Sequence, residues 1–196
     1  MMKLTDLFEA LSKAFDGPEE IEAIAKKALI QTASVAEYDG PFKPLPEVID
    51  EAMAAPDAHP SCAVLRKTKL PWAPTQTIDD PLYAKHSLPK VHVELLGPEG
   101  LVRSDVVRLG VYGMLPWHEY GHRTHPAEEV FVMLAGKADW ARGEESYRQL
   151  GPGERSCHPS MMPHASRTRE HAFMSVYAWV GDLARTDYVY HGLPSG

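Results

Sequence analysis

His118, His122 and His125 fall close together and run straight into the adjacent pair Glu128-Glu129. A second cluster, from Gly153 to His164, holds Cys157, His158, Pro159, Pro163 and His164. Imidazoles and carboxylates gathered from two separate segments are the makings of a mononuclear metal site. Such a site polarises a bound carboxylate or carbonyl. Taken singly, each histidine reads more simply as an exposed loop residue and the two glutamates as a solvated pair. The combination of the two segments carries the metal reading.

Alternation sorts the first cluster. In a strand running from His125 to Phe131, residues two apart share a face. His125, Ala127, Glu129 and Phe131 then point one way, and Glu128, Val130 and Val132 the other. His125 and Glu129 can therefore reach one cation together, while His122 precedes the strand and escapes the alternation. In the second cluster His164 opens an apparent strand, and Cys157 and His158 compete with it as ligands. Cysteine is more often a small buried hydrophobe. His158 reads as easily as a surface residue as a ligand and is left outside the ligand set.

These segments need elements to hold them. Leu4, Leu7, Phe8, Leu11 and Phe15 mark one face of a helix. Gly17-Pro18 breaks it. Asp16 or Gly17 then caps a second helix with Pro18, Glu19 and Glu20 in its first turn. Ile21, Ile24, Ala25, Ala28 and Leu29 form its apolar stripe. A third helix is predicted over Pro46 to Ala54, burying Val48, Ile49, Ala52 and Met53. Prolines then punctuate the chain to Pro89, which reads as an ordered connection wrapping the rest. It has a helical turn near Asp79 to Lys85, and Trp72 anchors it. After Pro89 the pattern becomes short strands with Gly or Pro between them: Val91–Leu95, Val106–Leu115, Val130–Leu134, Ala138–Ala141, Ser146–Leu150, Arg155–His158, Met161–Arg167 and Phe173–Val180. That density predicts a barrel or sandwich. The expected division is a helical segment over 1–55, a connecting segment packed on the barrel over 56–88, and an all-β barrel bearing the metal site over 89–190.

Composition narrows the function classes. The net charge of −7 argues against nucleic acid or an anionic membrane surface as partner. It is weakly compatible with a small cationic or zwitterionic ligand. The two cysteines form neither a disulfide framework nor a zinc-finger spacing, which favours a reducing, cytoplasmic setting. No signal peptide or bilayer-spanning run is read from the chain. Nothing in the sequence fixes the number of subunits.

The two segments resemble the two motifs of the cupin superfamily. His125, Glu129 and Gly136 match the later part of the first motif, and Gly153, Pro159 and His164 match the second. The resemblance implies an α+β, mainly β fold: a C-terminal cupin (double-stranded β-helix, jelly-roll) barrel behind an N-terminal helical segment. It also implies one divalent transition metal ion held by His125, Glu129 and His164. Zinc or iron heads the expectation, with manganese and nickel also suited to such ligands. Within that superfamily, the run from Tyr120-Gly121-His122 to Glu129 resembles the cupin-type dimethylsulfoniopropionate (DMSP) lyases. So do Pro159 to Ala165, Arg167-Thr168 and Ala178 to Leu183.

This closer resemblance implies a metal-dependent β-elimination that turns DMSP into dimethyl sulfide and acrylate. A base removes the proton α to a carboxylate, and bound metal spreads the charge that develops there. Trp179, Trp117, Tyr120 and Phe131 are candidates for an aromatic wall around the sulfonium, worth roughly 0.5–2 kcal/mol per ring. His122 is assigned a supporting place beside the substrate. Two departures stand out. Arg123 occupies the first histidine position of the motif, and Phe131 occupies the place of a tyrosine that is the family's proposed base. Phenylalanine can neither ligate nor accept a proton. The base role is therefore assigned to Tyr120, whose pKa a nearby metal would lower from about 10 towards neutrality. The chain is accordingly expected to be a slow or inactive DMSP lyase if the missing tyrosine is essential. Two other classes fit the residues less closely: a cupin dioxygenase or isomerase acting on a small carboxylate, and a cupin that binds a ligand without turnover.

Overall fold

Leu7, Phe8 and Leu11 are buried on one side of helix α1 (Thr5–Ser12), and Leu4 and Phe15 extend the same face beyond its ends. The computed structural model describes residues 2–193. A two-residue strand β1 (Met2–Lys3) pairs with β2 (Glu37–Tyr38) and ties the start of the chain to the end of the second helix region. Helix α2 (Glu20–Thr32) begins two residues later than the expected cap, with Glu19 in the extended N-cap position. The cause is Glu22, whose buried carboxylate accepts from Gly17 N at 2.9 Å and from Arg155 Nε at 2.8 Å. That pair holds Gly17-Pro18 as a connection outside the helix. In α3 (Glu47–Ala54) Ile49 and Met53 face the core while Val48 points out, contrary to expectation.

The connecting stretch carries a short helix that proline punctuation concealed, α4 (Cys62–Leu65), and then α5 (Pro81–Ser87). Asp80 caps α5 by accepting from Tyr83 N at 2.6 Å, with Pro81 at the first helical position. Trp72 is buried against the same core as the helices.

The strands that follow are β3 (Lys90–Gly97), β4 (Val102–Arg103), β5 (Arg108–Met114), β6 (Glu119–Thr124), β7 (Glu128–Gly136), β8 (Ala138–Arg142), β9 (Arg148–Leu150), β10 (Arg155–His158), β11 (His164–Arg167), β12 (Phe173–Val180) and β13 (Val189–Gly192). They form a six-stranded sheet in the order β10-β7-β12-β5-β3-β4 and a five-stranded sheet in the order β13-β6-β11-β8-β9. Apart from β3-β4 and β8-β9, neighbours in the order are not consecutive in sequence, as in a double-stranded β-helix. The fold is α+β and mainly β: a cupin-type jelly-roll barrel behind an N-terminal helical segment. Gly136 and Gly153, the two motif glycines, adopt φ of +69° and +83°. Such angles carry a steric penalty for side chains with a Cβ and fix the turns after β7 and before β10.

Alternation divides the six-stranded sheet into two faces. Val130, Val132 and Leu134 of β7 and Met174, Val176 and Ala178 of β12 join α1–α4 in an aliphatic core behind the sheet. Phe131 and Met133 of β7, Phe173, Tyr177 and Trp179 of β12, and Tyr112 of β5 face the barrel interior instead. Among the described residues no helix is long and apolar enough to cross a membrane.

Candidate metal centre and its cavity

Glu129 lies on the inward face of β7, two residues before Phe131. His125 sits in the turn just ahead of that strand, and His164 opens β11 on the opposite sheet. All three side chains are buried, and one ligand atom from each lies within 4.8 Å of the others. The imidazoles are held from behind. His125 Nδ1 is 3.0 Å from Ala127 O, and His164 Nδ1 is 2.8 Å from Met162 O. A carbonyl oxygen only accepts, so each Nδ1 carries the proton and each Nε2 presents a lone pair. Both Nε2 atoms are buried without a hydrogen-bond partner. They lie 3.5 Å and 3.0 Å from Glu129 Oε2. Three electron-rich atoms thus converge on one point, an arrangement that a divalent cation relieves. The donor set fits a metal of the zinc, iron, manganese or nickel group.

His158 belongs to this cluster, which corrects its reading as a surface residue. It is fully buried, its Nδ1 lies 3.0 Å from Glu129 Oε2 and its Nε2 2.7 Å from Ser156 Oγ. Its ring stacks on His164 at 4.1 Å. The signal was available in β10, where Ser156 and His158 alternate inward, and in the register that pairs His158 with Glu129. Burial, together with the Arg123 charge and His158, holds His164 well below the usual histidine value, hence neutral and able to ligate. Cys157 is half-buried and stands outside the group.

Glu129, alone of this cluster, lines a cavity of about 400 Å³. Tyr112, Tyr120, Phe131, Tyr177, Trp179 and Tyr188 wall it, with Arg123 and Glu129 among the lining residues. Pro71 to Thr77 of the connecting segment and the Glu94–Arg108 ion pair line it as well. Trp179 does more than form a wall: its Nε1 donates to Glu129 Oε1 and its ring stacks on His125 at 4.1 Å. Tyr188 lies parallel to the other imidazole neighbour, 5.6 Å from the His125 ring. It comes from an irregular stretch after β12 that carries no periodicity, so no sequence pattern points to it. Tyr177 did have a signal, because it alternates with Trp179 in a predicted strand.

Two of the expected substrate-binding residues lie elsewhere. Trp117 is 72% exposed in the turn before β6, its backbone N–H donating to Arg169 O at 2.8 Å. His122 is half-buried in β6, opposite Gly192 of β13, and does not line the cavity. Tyr120 and Phe131 do line it. The expectation of a lowered Tyr120 pKa meets the opposite tendency. Burial, then the hydroxyls of Tyr188 and Tyr83, push the phenol well above its ordinary value, and the Arg123 charge pulls it partly back. The Tyr120 hydroxyl bonds to that of Tyr188 and lies 3.1 Å from that of Tyr83.

Comparison with known proteins gives a consistent result. The family model for dimethylsulfoniopropionate (DMSP) lyase matches residues 21–175. Over 89 residues the chain is 40% identical to the dimethylsulfoniopropionate lyase DddQ of Ruegeria pomeroyi. That match spans 45% of this chain and 44% of the relative, less than half of either. The solved structure of DMSP lyase DddQ from Ruegeria pomeroyi superposes with a TM-score of 0.61 at 24% identity, over 94% of this chain and 99% of that one. A chain from the crystal structures of the DMSP lyases RdDddP and RnDddQII gives a TM-score of 0.66 at 23% identity, over 95% and 96%. At those identities the structural likeness is one of fold.

Proposed function

The chain belongs to the DMSP lyase family, and from that premise we propose that it is a carbon–sulfur lyase releasing dimethyl sulfide and acrylate from DMSP by β-elimination. The observation that carries this reading is the convergence of His125, Glu129 and His164, with Glu129 shared by an aromatic-walled cavity. His125, Glu129 and His164 would hold a divalent metal, which would supply Lewis acidity toward a substrate carboxylate.

The remaining work falls to side chains. Trp179, Phe131, Tyr112 and Tyr177 line the cavity and supply aromatic rings for a sulfonium. Tyr120 Oη takes the α-proton. The C–H electron pair becomes the new C=C bond, the C–S bond breaks with its pair on sulfur, and neutral dimethyl sulfide leaves acrylate behind. Tyr120 must begin as phenolate for this. Burial opposes that state, whereas the Arg123 guanidinium favours it, its carbon lying 3.9 Å from the Tyr120 ring centroid. The cysteines Cys62 and Cys157 are both free, which supports a reducing, cytoplasmic setting.

Phe131 sets the rate expected of this chain. Its ring packs 4.5 Å from Trp140 and 5.7 Å from Tyr112, with hydrocarbon where a hydroxyl would serve as base. The test is headspace dimethyl sulfide from metal-loaded protein given DMSP, beside Phe131→Tyr. The wild-type chain should turn over slowly, and the variant should gain on the order of a hundredfold, the scale of a positioned base. No dimethyl sulfide from either protein would defeat the lyase reading. The raised Tyr120 pKa favours one second reading, a cupin that binds DMSP or a related carboxylate without cleaving it. Binding heat without product at every metal loading would select that reading.

A further inference from the structure

Arg123 is 2% exposed and lines the cavity, yet among the described residues no carboxylate lies within salt-bridge distance of it. Its Nη1 makes only two long contacts, 3.5 Å to Gly121 O and 3.4 Å to His164 O, and Nη2 has no partner. A guanidinium does not shed its proton in a protein interior, so this is a buried charge left without an anion. Arg108 shows the ordinary arrangement: it is equally buried, but its guanidinium is bridged to Glu94 and Glu99. The other acid of the cavity, Glu129, is already engaged by His158 and Trp179. Lys90 Nζ is also buried without a partner against the same tyrosine ring, but burial and the Arg123 charge lower its pKa well below the ordinary lysine value. The interior around Tyr120 thus holds one guanidinium charge that no carboxylate answers.

We propose that Arg123 is the carboxylate-recognition residue of this cavity, taking the carboxylate of the substrate in its free guanidinium fork. The inference rests on reading the cavity as the substrate site. Register places Arg123 directly opposite His164, so an anion on its fork lies beside the candidate metal ligands. A planar fork matches a carboxylate with two parallel hydrogen bonds, which an imidazole at the same position cannot provide. The exchange of histidine for arginine at this motif position therefore shifts the site from one more potential metal ligand to a fixed anion receptor. It selects small carboxylates over neutral molecules of the same shape.

The test compares propionate with propionamide, its neutral counterpart, by calorimetric titration of the full chain. Wild-type protein, Arg123→Gln and Arg123→Lys are each measured as purified and after chelation. Wild-type protein should prefer propionate by about tenfold or more, the scale of a charge-assisted hydrogen bond, before and after chelation. Arg123→Gln should lose the preference while binding propionamide as wild type does, and Arg123→Lys should fall between. Loss of the wild-type preference on chelation would overturn the proposal, because the metal would then be the sole receptor. An unchanged preference in Arg123→Gln would overturn it too. If Arg123→Gln fails to fold, the wild-type chelation pair and Arg123→Lys decide: equal preference in wild type and Arg123→Lys counts against the fork. The readout is independent of turnover. Absence of dimethyl sulfide with the preference intact removes the lyase reading alone, and dimethyl sulfide without the preference removes Arg123 alone.

Discussion

The two faces of the six-stranded sheet obey different rules. Behind it, Val130, Val132, Leu134 and Val176 meet Leu7, Leu11 and Leu29 of the helices, hydrocarbon against hydrocarbon. In front of it, the same strands present Tyr112, Phe131, Tyr177 and Trp179 to an interior that also holds His125, His158, His164, Glu129 and Arg123. The buried polar atoms without partners follow the same line. Lys90 Nζ, Arg123 Nη2, His125 Nε2, His164 Nε2 and Ser166 Oγ all belong to the barrel and its turns, and among the described residues none belongs to the helical layer. Unpaired buried groups cost stability. The aliphatic side offsets that cost and allows the interior to keep groups free for a ligand. One strand, β7, serves both sides through nothing more than a two-residue alternation.

The strongest way to break this comparison is to damage the interior and ask whether the back notices. His164→Ala removes one of the three converging donors. Losing a group that merely orients a ligand costs about 10–100-fold in metal affinity, so losing a ligand itself should cost more than about a hundredfold. Metal content by plasma mass spectrometry should fall to background while chelated wild type and variant melt alike. Metal retained at the wild-type level would undo the assignment of the centre.

The converse damage is Leu134→Ala, at a fully buried position on the back face of β7. Removing a buried leucine side chain and leaving a cavity costs about 2–5 kcal/mol. Urea unfolding should show that loss, with metal content unchanged, because Leu134 points away from Glu129. A comparable loss of metal would mean that the two faces are not separable.

Sequence reading reached the back face more easily than the front. Aliphatic residues two apart in strands and three or four apart in helices are periodic signals. They located α1, α2, β7 and β12 within a few residues. The strands β6 and β13 escaped because Glu119-Tyr120-Gly121-His122-Arg123-Thr124 and Val189-Tyr190-His191-Gly192 have no apolar alternation. Their inward positions hold functional side chains instead of hydrocarbon. His125, Glu129 and His164 were legible as a resemblance to motifs with fixed spacing. Tyr83, Tyr188 and Lys90 were not, because each arrives from a separate element and only the closed barrel brings them to Tyr120. Arg123 was visible as a departure, but its lack of a partner is a property of the packed interior alone.

His92 sits where the two regions meet and gives the smallest predicted effect. Its neighbours Val91 and Val93 belong to the back core, while its own ring stacks on Tyr177 at 5.5 Å and lies 2.7 Å from the Tyr177 hydroxyl. Burial, with the charges of Arg108, Lys90 and Arg185, lowers its pKa from 6.5 to about 3. In the unfolded chain the same imidazole protonates near 6.5. Between those values the unfolded state binds one more proton than the folded state, so this group lowers stability as pH falls. Above pH about 6.5 it has no effect, and below it the loss approaches about 1.4 kcal/mol per pH unit. Chemical unfolding of chelated protein at pH 7 and pH 5, beside His92→Gln, isolates the term. The wild-type chain should lose about 2 kcal/mol more than the variant over that interval. Equal slopes would mean that His92 takes up a proton in the folded barrel. The polar interior would then extend through the sheet at β3, and the separation of the two faces would fail at that strand.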